Sequence, residues 1–131
     1  MGSFSDYLED KILNHIFGKN SYTPPNIYVA LSTADPQDDA SGLAEPIGHA
    51  YARVQTSASD WNVAAGGSLD NASNIIFPQA TGSWGTITHF ALFDAATGGD
   101  MLACGALSQP QIIDSGNTVK FTAGYLDINM D

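Results

Sequence analysis

Basic residues are scarce in this 131-residue chain: four Lys and Arg stand against fourteen Asp and Glu, for a net charge of −10. A sequence-independent grip on nucleic acid needs Lys and Arg to displace condensed counterions, and anionic membrane surfaces repel an acidic chain. Neither partner is expected. Cysteine is almost missing too. Cys104 stands alone, so no disulfide can close within the chain, and inside the apolar run Met101–Leu107 it reads as a small hydrophobe rather than a nucleophile. No apolar run approaches the roughly 20 residues of a membrane-spanning helix. No basic segment followed by an apolar one opens the chain, so a secretory leader is not expected either. These absences together predict a soluble protein made in a cytoplasm.

Apolar residues are well represented at 44%, while charged ones are only 14%. A disordered chain shows the reverse balance, and the length suits one domain over 1–131 with a core of its own. The only helical periodicity lies in Ser3–Phe17 (SFSDYLEDKILNHIF), where Phe4, Leu8, Ile12 and Ile16 recur every fourth residue. Ser3 and the early acids suit its N-terminus, and Gly18 its end. After Pro24-Pro25 the period changes to two. Strands are predicted at Asn26–Thr33, Tyr51–Thr56, Ser68–Phe77, Gly85–Phe93, Met101–Leu107, Thr118–Ala123 and Tyr125–Asn129, and Trp61–Val63 begins a further short one. Asp94–Asp100 reads as a hairpin connection with Gly98-Gly99 available for positive φ. The long Asp35–Ala50 segment, rich in Pro, Gly and acid, reads as a loop able to reach outward and dispensable to the fold. The expected class is all-β: an antiparallel β-sandwich of about seven strands over 26–131, with one N-terminal amphipathic α-helix over 1–18.

Chemistry is hard to find. In Gly85–Phe93 strict alternation puts Ile87, His89, Ala91 and Phe93 on one face, against Thr86, Thr88, Phe90 and Leu92. His89 between apolar neighbours is therefore expected to be half-buried, bonded to backbone or to a threonine. A catalytic histidine needs an orienting carboxylate and a nucleophile, and no motif supplies them. His15, His49 and His89 share no metal-ligand spacing. The acids Asp35, Asp38, Asp39 and Glu45 lack the alternation and central glycine of a calcium loop. No catalytic residue, metal site or cofactor is expected. Trp84, between glycines, reads as a cover for the end of the core.

The order of segments carries more. SDYLEDKILNHIFG, SYTPPNIYVALSTADP, SGLAEP, YAR and FPQATGSWGTITHFALFDAATGG together resemble a family of small tailed-bacteriophage proteins labelled phage tail fibre or virion structural proteins. The resemblance implies a noncatalytic part of a virion, made in the host bacterial cytoplasm, with other virion proteins as partners. Receptor-seeking fibres gain length through repeats or trimeric shafts, and this chain shows neither. The leading expectation is thus a capsid decoration (cement) protein on the major capsid protein. The alternative is a small tail-fibre or baseplate-attached subunit among tail proteins. A weaker alternative is a carbohydrate-binding module using Trp61, Trp84 or exposed tyrosines. A homotrimer is expected, because homo-oligomers close as rings, with Phe4, Leu8, Ile12 and Ile16 as the assembly contacts.

Overall fold

A computed structural model describes residues 2–130. The chain runs β1 (Gly2–Phe4), α1 (Asp6–Ile16), β2 (Ile27–Ser32), β3 (Val54–Thr56), β4 (Ser68–Asp70), β5 (Ile75–Ile76), β6 (Gly85–Phe93), β7 (Met101–Ile113), β8 (Lys120–Phe121) and β9 (Asp127–Asn129). It is all-β with one N-terminal helix, as the sequence predicts. A seven-stranded sheet has the order β3-β2-β6-β7-β1-β9-β4, and β5 and β8 form a second, two-stranded sheet. Its pairings are antiparallel except one: β1 lies parallel to β9, with Gly2 opposite Ile128.

The alternating residues of β2 sort onto two faces. Val29 and Leu31 join Phe90, Leu92, Leu102 and Ile128 in the larger core, which Phe77 and Phe121 cover from the side of the small sheet. Ala30 joins Ala91, Phe93 and Met101 on the opposite face. The β6–β7 hairpin forms the middle of the sheet, and its turn contains Gly98 and Gly99 at φ of 60° and 74°.

Four local expectations give way to tertiary contacts. The helix starts at Asp6, not Ser3. Ser5 caps it, accepting from the Leu8 amide at 3.2 Å, while the Ser5 amide and hydroxyl donate to the carbonyls of Leu102 and Met101. Those bonds pull Gly2–Phe4 out as a strand, so Phe4 leaves the helical stripe. Second, β7 runs on to Ile113, past the end of its apolar alternation at Leu107.

Third, the strict alternation expected in β6 is broken. Ile87 pairs with Gln111 but His89 with Ala106, so residues 107–110 bulge out of β7 opposite Thr88 alone. Ile87 thereby joins the core of Phe90 and Leu92 instead of sharing a face with Ala91 and Phe93. Fourth, Ser68–Phe77 is two strands rather than one, separated at Asn71.

Asn71 is fully buried, and its side chain reaches three segments. Nδ2 donates to the carbonyls of Ser73 (2.9 Å), Thr122 (3.1 Å) and Phe121 (3.3 Å). Oδ1 accepts from the Leu126 amide at 2.9 Å. One amide thus turns the chain between β4 and β5 and ties β8 to the approach of β9. Asn71→Ala leaves those groups buried without partners, so a loss of about 1–3 kcal/mol, or more if several stay dry, is expected in urea unfolding.

Candidate assembly surface

The helix is fastened at one end only. Tyr7 and Leu8 pack against the larger core beside Phe4 of β1, and no residue of α1 is fully buried. Towards the C-terminus the apolar side chains emerge: Ile16 is 70% and Phe17 71% exposed. His15 Nδ1 accepts the Tyr22 amide at 3.1 Å, holding the returning chain beside this end.

Between α1 and the sheet runs a groove of about 720 Å³. Leu8 and Ile12 form one wall, Trp61 and Val63 stand along it, and Leu102 and Ile128 lie in its base. Pro24 and Pro25 edge it. Of the four residues expected to make assembly contacts, Phe4, Leu8 and Ile12 are brought together along this groove. Ile16 lies outside its lining, on the exposed end with Phe17.

The loop over 35–50 behaves differently from the outward arm expected of it. Pro36 is fully buried, and Ala40 and Leu43 pack on the sheet face of Ala91 and Phe93. The Thr33 amide donates to the Ala44 carbonyl at 2.9 Å, and the Ala44 amide to Ser32 Oγ at 3.0 Å. Glu45 then anchors the loop. Arg53 donates to it through Nε (3.0 Å) and Nη2 (2.6 Å), and the Tyr51 hydroxyl donates at 2.6 Å while accepting from the Leu31 amide at 3.0 Å. Arg53 Nη1 reaches the carbonyls of Ala95 and Gly98, both at 2.8 Å, and its guanidinium lies 3.8 Å above the Phe93 ring. The Arg53 side chain is only 5% exposed. A deletion of 36–46 would remove this anchor and the cover of a core face, so the segment is structural.

Burial alone would raise the Glu45 carboxyl, but the bonds from Arg53 and Tyr51 and the Arg53 charge outweigh it and hold it below its ordinary value. Burial, then the carboxylate beside it, pushes the Tyr51 hydroxyl far upward, so it remains a donor.

The rarer residues are also placed. Trp84 is 3% exposed, its Nε1 donating to the His49 carbonyl at 2.9 Å and its ring edge-on to Tyr51. It covers the core, as expected, and offers no platform. Trp61 donates to Thr56 Oγ1 at 2.9 Å and lines the apolar groove. His89 Nδ1 shares a hydrogen bond with Thr88 Oγ1 at 2.8 Å, the threonine partner expected. Asp35 stands 3.9 Å from its Nε2, beyond hydrogen-bond length. Among the described residues no group of three or more His, Cys, Asp and Glu is placed to hold a metal ion. Glu45, Arg53 and Asn71 were not singled out from sequence as structural centres. Glu45 lies in the expected loop and Arg53 and Asn71 in expected strands, where spacing gives no sign of a polar centre; only the partners brought by the fold explain them.

A family model described as Podophage GP4 fiber I protein gp80 matches residues 3–129. No curated protein matches the chain.

The lowered Glu45 carboxyl has a defined consequence for pH. Its stabilisation is present in full above the unfolded-state value, 4.5, and is lost as pH falls through the lower folded value. Glu45→Gln is therefore expected to cost about 1–3 kcal/mol at pH 7. The difference from the parent should shrink as pH falls below that value, as read by urea unfolding at pH 7 and pH 3.

Proposed function

The chain belongs to the Podophage GP4 fiber I protein family, and from that premise we propose that it is a noncatalytic subunit of a fibre on a tailed-bacteriophage particle. It joins other virion proteins through the α1 surface. The observation that carries this is the apolar α1 end, with Ile16 and Phe17 in solvent beside a groove lined by Phe4, Leu8 and Ile12. Contiguous apolar surface of this kind marks an interaction site. The compact build argued for capsid decoration, but the family description favours the fibre, and a fibre can gain length by joining small units end to end. The copies form a homotrimer, a closed ring about one axis.

Two substitutions separate folding from assembly. Leu8→Asp places a charge against the core and should lower stability by roughly 1.5–3 kcal/mol. Ile16→Asp, on an exposed side chain, should leave the melting temperature unchanged and reduce incorporation into particles. Immunogold labelling and mass measurement then read location and copy number. Label on the capsid shell would replace the fibre by the decoration reading, and a monomer at working concentration would remove the trimer.

A further inference from the structure

A second concavity, of about 450 Å³, lies away from α1, between the β7 bulge and the segment Thr118–Thr122 that contains β8. Ile87, Ile113 and Phe121 give it an apolar base. Gln109, Gln111, Thr122 and Tyr125 stand around it with Lys120. In a chain with fourteen acids and four bases, this lining holds one of the bases and, among the described residues, no Asp or Glu.

Two features make it a built site rather than a surface dent. The bulge inserts residues 107–110 where β6 has Thr88 alone, and bulges re-aim side chains beside functional sites. On the opposite wall, Tyr125 is 62% exposed yet sits on a fixed turn. Its amide donates to the Thr122 carbonyl at 3.0 Å, that carbonyl accepts from Asn71 at 3.1 Å, and the Asn71 backbone carbonyl accepts from Gly124 at 2.8 Å. The buried asparagine thus fixes the backbone turn that carries Tyr125, whose side chain stands largely in solvent. With that backbone fixed, only the side-chain torsions of the tyrosine remain to be ordered on binding.

The hydrogen-bonding groups are available as well. Gln111 Nε2 reaches only the Gln109 carbonyl, at 3.5 Å. Among the described residues, the side chains of Ser108, Gln109 and Thr122 and the Tyr125 hydroxyl make no hydrogen bond within the chain. Amides and hydroxyls that both donate and accept match a ligand dense in hydroxyl groups. An exposed aromatic face suits the apolar face of a sugar ring, and the lone ammonium of Lys120, with no carboxylate on the rim, suits an acidic substituent.

We propose that this cleft binds an acidic oligosaccharide, with a sugar ring on Tyr125, hydroxyls on Gln109, Gln111 and Thr122, and a carboxylate or phosphate at Lys120. The inference does not rest on the fibre reading or on the α1 surface. It is tested with the full chain on an array of neutral and acidic bacterial-surface oligosaccharides, followed by titration of each bound member. Acidic members should bind, and Tyr125→Ala and Lys120→Gln should each weaken binding roughly tenfold, with melting temperatures unchanged because both side chains are exposed. Ile16→Asp should bind as the parent does, which separates this site from assembly. Absence of binding across the array, or binding that survives both cleft substitutions, overturns the proposal. Equal affinity for neutral counterparts overturns the role given to Lys120.

Discussion

Strand β1 lies between β7 and β9, and through it the block β3-β2-β6-β7 is joined to the block β9-β4. Three residues do this: Gly2 faces Gly105 on one side and Ile128 on the other, and Phe4 faces Ala103. The fit leaves no room at Gly2, where a Cβ would stand 2.6 Å from the Phe90 ring and 3.2 Å from the Cys104 carbonyl. Ser5 completes the junction by closing the strand on Met101 and opening the helix at Leu8. The position of α1, the groove beside it and the exposure of its far end all follow from where β1 is held. Because the contacts join residues from 96 to 126 positions apart, they form only once distant parts of the chain have met, which slows folding.

Two polar centres, one fully buried at Asn71 and one half-buried at Glu45, then do what apolar packing cannot. Desolvated polar groups cost free energy unless every partner is supplied. Around Glu45 the partners are Arg53 and Tyr51, and they lock a long loop across one sheet face. Around Asn71 they are backbone groups from β8 and the turn before β9. One centre converts an apparent arm into part of the core's cover. The other fixes the backbone turn that carries Tyr125 beside a polar cleft. Both fix irregular backbone, which hydrophobic burial alone leaves loosely specified.

The two candidate surfaces differ in chemistry as they differ in place. The α1 groove is apolar, with an exposed apolar end, and suits permanent association with neighbouring proteins. The cleft beside β8 is lined by amides and hydroxyls over an apolar base and suits a smaller, polar ligand. A subunit that is attached at one surface can still present the other.

Much of the architecture was legible in the sequence because it rests on local periodicity. Alternation marked β2 and β6, the i, i+4 stripe of Leu8 and Ile12 marked the helix, Gly98-Gly99 marked the hairpin, and the order of segments marked the family. Even His89 beside Thr88 was readable, since that bond joins adjacent residues. What depended on distant partners was not. Phe4 fits a helical stripe until Leu102 and Met101 capture Ser5. Ile87 fits one face of β6 until a bulge in β7 moves it to the other. Glu45 looks like one more loop acid until Arg53 and Tyr51 surround it, and Asn71 sits unmarked inside one expected strand until three segments converge on its amide and divide it. Sequence alone determined where the helix and most of the strands would lie, though not β1, because backbone and side-chain spacing act over a few residues. Only the tertiary structure decided where those stretches end and which polar groups matter, because buried hydrogen bonds and close contacts are set by residues that lie far apart in the chain.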